Sequence, residues 1–497
     1  MNVLPSFPCL RGTAVLGGLA LATCAALAAA PRAQGLVPGV PFSHTRGAYV
    51  SDSTADKIYQ LDDLDLDGDY NDPNETRVFY DDTVGPFALT NNNGIAIGFA
   101  GAVYVSDSNT DVIIALRDLD GDGSAHGAGE ATLFFDGRPG GNASGIVMTS
   151  SANMVPDAQL RLWIASSNTT SGVDSVIQLR DINLNGHAND AGEAIEYWVH
   201  ATPTPAGASL PQDLAIGVDG HLYVLDIPST AGTQKGLYRC NDLNSNGVID
   251  GASEYSAFFI PPAGAEAAFY WGLGSDAAGN FYFADTGNDL IWKARDADAS
   301  GAIDPGEFAP YWTGAPDSSQ IWRVAVGSDG SLLCAESEDP NRLLSMRDAD
   351  NDGQIRAGEV SVVYDETIAP VVIGNPRSVC WARRPTIVAS DSTPSIGNPL
   401  GYTTIATAGE LVLGWYSLAL GAPIPFAPFG SIELSLLPVH NPTQLYAGLI
   451  GPSGQHVFTL PVPNSPSLVG LDFHVQGLVG TLARLQLSNV ASVVVSL

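Results

Sequence analysis

Basic residues are scarce. The chain has 21 Lys and Arg against 53 Asp and Glu, a formal net charge of −32 over 497 residues. Phosphate backbones and anionic headgroups repel such a surface, which argues against nucleic acid and anionic membrane as partners. Cysteine is nearly missing as well. Of five, Cys9 and Cys24 fall within the first 35 residues, leaving Cys240, Cys334 and Cys380. Three scattered cysteines are no disulfide framework and are expected as small buried residues. After the N-terminal segment there is no run of about 20 apolar residues, so no later membrane span is expected. No nucleophile elbow or cofactor fingerprint occurs, and His126, His187 and His221 show no metal-ligand spacing.

Residues 1–35 read as a secretory signal, with Arg11 ahead of a small, apolar stretch from Thr13 to Ala30. Ala28-Ala29-Ala30 fits the cleavage rule, with Ala33 and Gly35 as alternatives because Pro31 follows. LATC at Leu21–Cys24 hints at a lipoprotein site. The expected location is outside the cytoplasm, secreted or at the cell surface.

The acidic residues are grouped rather than spread. DADNDGQIRAGE from Asp348 places oxygen-bearing side chains at positions 1, 3 and 5 (Asp348, Asp350, Asp352), Gly353 at 6, Ile355 at 8 and Glu359 at 12. Five further stretches repeat the pattern. They carry Asp63, Asp65, Asp67 and Glu75; Asp118, Asp120, Asp122 and Glu130; Asp181, Asn183, Asn185 and Glu193; Asp242, Asn244, Asn246 and Glu254; and Asp296, Asp298, Ser300 and Glu307. Ca²⁺ takes six to eight oxygens at about 2.3–2.6 Å, and alternating carboxylates before a turn-forming glycine bend a chain around one such point. Up to six Ca²⁺ ions are therefore expected. Solvated acidic turns without metal are the alternative, and six copies in register weigh against it. The first four loops have one extra residue before the Glu, and Asn or Ser replaces Asp in the third, fourth and fifth. Fewer charges predict weaker sites, so the first, second and sixth loops should bind most tightly.

These loops resemble those of EF-hands and dockerin-type repeats, but the likeness stops at the loop ends. The flanks, such as DVIIALRD before the second loop and ATLFFDG after it, are rich in β-branched and aromatic residues without a helical period. Each loop should therefore tip a β-hairpin, leaving no helix pair for calcium to open.

The loops start 55, 63, 61, 54 and 52 residues apart, a period typical of propellers and solenoids. Four strands per unit are clearest in the second: GIAIG, GAVYVSD, DVIIALRD and ATLFFDG. Such units, repeated radially, make propeller blades. ADTGNDLIW from Ala284 and SDSNTDVII from Ser106 resemble the second half of the NHL-type repeat. That resemblance implies a six-bladed β-propeller over residues 45–388. The first unit lacks an innermost strand, and RSVCWAR from Arg377 is expected to supply it and close the ring.

In this arrangement the calcium loops share one face and the second-to-third strand turns the other. Innermost strands are read to start at Gly94, Gly145, Asp213, Gly272, Arg323 and Ser378, preceded by Asn93, Ser144, Gln212, Trp271, Trp322 and Arg377. Asp213, Trp271, Trp322 and Arg323 are candidates for a polar, aromatic mouth suited to a sugar or peptide. The competing reading packs the tryptophans between blades and pairs the charges locally. Asp52, Asp107, Asp226 and Asp285 recur before turns, where an Asp accepts bonds from its own backbone. Gluconolactonase-like six-bladed hydrolases hold one divalent metal in the channel, but no matching residue set can be assigned here.

Composition changes near residue 390. Residues 391–497 hold four acidic residues and one basic one, Arg484. Short apolar strands between Gly/Pro/Asn turns predict a β-sandwich. PSIGNPL and LVGLDFHVQGL resemble a C-terminal module of exported proteins from planctomycete-type bacteria. The sequence thus predicts an all-β chain, a six-bladed propeller followed by a sandwich. Its expected role is calcium-dependent scaffolding or binding of an extracellular protein or carbohydrate, with a lactonase-type hydrolase as the alternative.

Overall fold

Continuous apolar runs drive the local structure: in VIIAL at Val112–Leu116 every side chain is buried, as between two packed layers. A computed structural model describes residues 44–389 except 65–66, 99–100, 121, 158–159, 168–173, 184, 200–209, 228–234, 252, 262–269, 315–319, 328–329, 338 and 384–385. Towards the C-terminus it describes 399–405, 411–418, 420–425, 431–434, 443–449, 455–461, 472–480 and 485–494. The expected signal at 1–35 and residue Asp65 lie outside the described residues.

The chain is nearly all β, built on repeated four-stranded antiparallel sheets of the propeller kind. The second sheet runs Asn92–Ile97, Val103–Asp107, Val112–Leu116, Ala131–Asp136 in spatial order. The third to sixth sheets begin with innermost strands Ser151–Pro156, Pro211–Ile216, Tyr270–Ser275 and Ile321–Val326. The third unit corrects the sequence reading. Its innermost strand starts at Ser151 rather than Gly145, because Gly145 takes φ +71° in a turn that Asn142 ties to Ile146.

In the first sheet, Pro376–Arg383 pairs antiparallel with His44–Asp52, which pairs in turn with Lys57–Asp62 and then Thr76–Asp81. The strand that follows the sixth sheet thus supplies the innermost position of the first, as RSVCWAR suggested. Each innermost strand lies against that of the next sheet, and the sixth sheet's lies against Pro376–Arg383.

The apolar core sits between neighbouring sheets. Val50, Leu61, Leu343, Val363 and Tyr364 pack the first sheet on the sixth, and Phe134, Phe135, Met154 and Ile164 pack the second on the third. Comparable clusters join each remaining neighbouring pair. Cys240 and Cys334 are buried and Cys380 half-buried, and none forms a disulfide.

The C-terminal region forms separate sheets. Leu411–Ser417 lies between Thr443–Leu449 and Asp472–Gly480, and the latter pairs with Leu485–Val494. Thr386–Ala389 already pairs with Pro399–Ile405, just beyond Pro376–Arg383. No helix among the described residues is long and apolar enough to cross a membrane.

Candidate functional site

The six acidic stretches connect third to fourth strands, and they share one backbone design. The glycine at position 6 has φ between +86° and +101° in every copy (Gly68, Gly123, Gly186, Gly247, Gly301, Gly353). A side chain there would strain the turn whatever space surrounds it. In the second to sixth loops this glycine's N–H donates to the position-1 carboxylate, at 2.8–3.0 Å for Asp118, Asp181, Asp242, Asp296 and Asp348. The position-5 amide donates to the position-3 oxygen, as Asp352 does to Asp350 at 3.1 Å. The first loop repeats this one step on, where Asp69 N–H meets Asp67 Oδ1 at 3.1 Å.

The closing Glu has the same role in all six loops, whatever their length. One oxygen accepts the position-2 amide, from Leu64 to Glu75 (2.6 Å), Leu119 to Glu130 (2.7 Å), Ile182 to Glu193 (2.9 Å), Leu243 to Glu254 (3.0 Å), Ala297 to Glu307 (2.7 Å) and Ala349 to Glu359 (2.7 Å). The other accepts the amide three residues before the Glu, from Asp72, Gly127, Asp190, Gly251, Asp304 and Arg356. These bonds hold the Glu254 and Glu359 carboxyls below the usual range, with the Gly251 and Arg356 amides contributing most. Each Glu is thus a clasp for its loop, and the longer loops take up their extra residue between its two bonds, at position 9.

Among the described residues, three side chains per loop come together in four copies. Carboxylate oxygens of Asp118, Asp120 and Asp122 lie within 4.8 Å of one another, as do those of Asp296, Asp298 and Glu307, and those of Asp348, Asp350 and Glu359. Hard oxygen donors at this separation fit a divalent cation such as Ca²⁺. The third loop differs from the sequence reading. There His187, Asp190 and Glu193 form the group within 4.8 Å, while Asn183 and Asn185 both donate amide hydrogens to Asp190, at 2.7 and 2.8 Å. In the fourth loop Asn244 and Asn246 likewise donate to Asp250, at 3.3 and 2.9 Å. An Asn can donate where an Asp cannot, so these two loops draw themselves together without a cation. Ser300 instead turns its hydroxyl to the Ala302 carbonyl. In the sixth loop Arg356 ion-pairs with Asp352.

The sequence reading missed what joins the loops to the rest of the molecule. Position 8 of each loop donates its N–H to a carbonyl on the outermost strand of the preceding sheet. The bonds run Ala125 to Phe79 (2.7 Å), Ala188 to Phe134 (2.8 Å), Ile249 to Tyr197 (2.6 Å), Ile303 to Phe258 (2.7 Å) and Ile355 to Tyr311 (2.6 Å). Tyr70 of the first loop completes the set by donating to Val363 of the sixth sheet at 2.7 Å. Position 9 adds a second link in three places. His126 Nε2 accepts from Asp81 N–H, Asn189 Oδ1 from Asp136 N–H and Asn71 Oδ1 from Asp365 N–H, at 2.8, 2.8 and 2.9 Å. The only sequence trace of this was the apolar or small residue at position 8.

Asp81 sits at that junction. The Thr83 hydroxyl, then Lys57 at 2.9 Å, hold its carboxyl down to about 2 against the raising effect of burial. A depressed carboxyl stabilises the fold above its unfolded value near 4, and that contribution is lost as pH falls towards 2. We expect urea midpoints of wild type and Asp81→Asn to differ at pH 5 and to converge as pH drops through that window.

At the opposite strand ends the recurring aspartates are held by hydrogen bonds, Asp52 and Asp107 from the backbone of their own turns as expected. Asp52 accepts from Thr54, Ala55 and Gly374 N–H, and Asp226 from Leu210 N–H. Asp285 accepts from the side chains of Asn288 and Trp292. Burial works to raise the Asp107 carboxyl, yet the amides of Asn91, Thr90 and Thr110 with the Thr110 hydroxyl hold it below its usual value.

The central candidates divide into two pairs. Asp213 and Arg323 form an ion pair at 2.7 Å, their side chains 1% and 7% exposed. Asp213 also accepts from Leu214 and Leu273 N–H at 2.7 Å each and from the Asn153 amide at 2.5 Å. Arg323 also donates to the carbonyls of Ala152, at 2.7 Å, and Trp271. Burial pushes the Asp213 carboxyl up, opposed by the Arg323 charge and these donors. This pair is spent within the chain, linking innermost strands of four sheets. Trp271 and Trp322 are half-buried instead, edge to face with centroids 5.2 Å apart, and the Arg377 guanidinium lies over Trp322 at 3.5 Å.

These sheets place the chain among β-propeller-like folds. No protein-family model matches the sequence, and no curated protein does either. Among solved structures it is similar to a streptogramin B lyase, at 15% identity and TM-score 0.41, covering 70% of this chain and 92% of that one. It is also similar to a gluconolactonase from Xanthomonas campestris, at 14% identity and TM-score 0.39 over 60% of this chain and 84% of that one. A third is the calcium-binding protein regucalcin from Agrobacterium tumefaciens, at 12% identity and TM-score 0.36 over 54% and 74%.

Proposed function

We propose that the six sheets are blades of a closed propeller whose acidic loops bind Ca²⁺ and latch each blade to the one before it. The propeller would act outside the cytoplasm as a scaffold or ligand-binding module. The observation that carries this reading is the position-8 bond. In every copy the acidic loop also holds the neighbouring sheet, including the junction of the sixth sheet with the first. A cation drawing in Asp296, Asp298 and Glu307 would fix the backbone from which Ile303 reaches Phe258. Metal binding would therefore stabilise the whole ring rather than one hairpin.

The lactonase-type alternative asks for a divalent cation in the channel. The Arg323 guanidinium already neutralises Asp213 there and satisfies two carbonyls, which weighs against it. The proposed site for calcium is the rim.

Calorimetric titration of Ca²⁺ into chelator-stripped protein tests the proposal. A high-affinity class from the carboxylate-rich first, second, fifth and sixth loops is expected, with the Asn-closed third and fourth loops filling later. One ion, or none, would reject it.

A further inference from the structure

The pairing register of the innermost strand breaks at the same point in all six sheets. In the second sheet Asn92 faces Asp107 and Gly94 faces Ser106, so Asn93 has no partner. The equivalent extra residue is Ala152, Gln212, Trp271, Trp322 and Arg377 in the other sheets. A bulge of this kind re-aims one side chain out of the ladder, and bulges are frequent beside binding sites. Each break lies at the strand end that meets the second-to-third turn, so all six form one ring at the mouth opposite the acidic loops.

The ring is chemically lopsided. Trp271, Trp322 and Arg377 come from three consecutive sheets. Arg377 stacks over Trp322 at 3.5 Å and stands 5.7 Å from the Trp271 centroid. Desolvation and, less strongly, the nearby Arg323 charge hold the Arg377 guanidinium down to about 10. A guanidinium carries five N–H donors. Apart from its ring contacts, Arg377 makes no hydrogen bond or ion pair among the described residues, since Asp213 is already turned to Arg323. Across the ring, the buried Oδ1 atoms of Asn93 and Asn153 lack a donor among the described residues. Among the described residues the mouth thus holds a cation without an anion, indole faces, and buried amide oxygens without a donor.

We propose that this mouth binds a carboxylate-bearing sugar, a uronate unit. Its carboxylate pairs with Arg377, one ring face lies on the Trp271 indole, and a hydroxyl donates to Asn93 Oδ1. A carboxylate matches the fork of a guanidinium. The flat apolar face of a pyranose matches an indole, and its hydroxyls match the amide oxygens. An acidic peptide would satisfy Arg377 but would leave the indole face and the amide oxygens unused. The inference rests on the closed-ring reading, because only a closed ring brings sheets one, five and six to one mouth.

The test is tryptophan fluorescence of the calcium-loaded full chain, titrated with methyl glucuronide and with a galacturonate dimer. Neutral methyl glucoside and a short Glu-rich peptide serve as comparisons. Saturable quenching by the uronates is expected, with the comparisons at least tenfold weaker. Arg377→Gln should weaken uronate binding at least tenfold with its melting temperature retained, and Trp271→Phe should weaken it less than Trp271→Ala. Absence of quenching, equal response to methyl glucoside, or equal response to the peptide would each overturn the proposal. Melting of the same samples with and without Ca²⁺ separates the two readings. Calcium stabilisation without uronate binding sinks this inference alone, and loss of both sinks the closed ring as well.

Discussion

Chelator-stripped protein is expected to melt about 16–24 °C below the calcium-saturated protein. A ligand that binds only the folded state adds about 2.7 kcal/mol when its free concentration is 100 times Kd. Four to six such sites add about 11–16 kcal/mol, comparable to the whole stability of an ordinary domain. Unfolding entropy of about 2 cal/mol/K per residue, over the roughly 340 residues of the six sheets, converts this into the stated shift. The size follows from what the loops hold. Without a cation, neighbouring carboxylates such as Asp348 and Asp350 repel each other, and their loop is the one that reaches Tyr311 through Ile355. Gly353→Ala, which forces a side chain onto φ +86°, should remove part of the shift without emptying the other loops. A calcium-dependent change of only a degree or two, by calorimetry, would reduce the acidic loops to solvated turns.

Asp213→Ala is expected to cost about 3–5 kcal/mol, the usual price of leaving one member of a buried ion pair alone. Arg323 would keep a charge at 7% side-chain exposure with only the carbonyls of Ala152 and Trp271 as partners. The Leu273 and Leu214 amides would lose their acceptor as well. Asp213→Leu combined with Arg323→Met should recover part of the loss, because it removes both charges together. The recovery stays partial, since the two carbonyls then go unsatisfied at about 1–3 kcal/mol each. Urea denaturation of the single and double variants measures this. A double variant that loses as much as the two single variants summed would show that the charges act independently.

The strand repeat, the third-to-fourth position of the acidic loops, and the return of RSVCWAR to the first strand were all legible from residue order. Each is a local pattern: alternating apolar side chains, a glycine needing φ near +90°, an unpaired edge. The third unit was misplaced because GIVMTS has strand-like composition, while Gly145 and Asn142 make it a turn. The closing glutamates were legible as residues but not in their geometry, since their partners are backbone amides and carry no sequence signature. Asn183 and Asn185 read as weaker ligands, yet their amide hydrogens meet Asp190, a pairing that depends on the fold of the loop.

By itself, then, the sequence determined the all-β character, the repeat, the acidic loops and a net charge of −32. Those properties follow from side-chain period, backbone freedom and net charge, which act within a few residues or over the whole chain. Tertiary structure alone decided that Asp213 and Arg323, 110 residues apart, neutralise each other while Arg377 is left over two tryptophans. It also decided that each loop grips the sheet before it. Contacts between groups distant in sequence depend on which innermost strands lie side by side and on one register break per strand, and neither is encoded in any single segment.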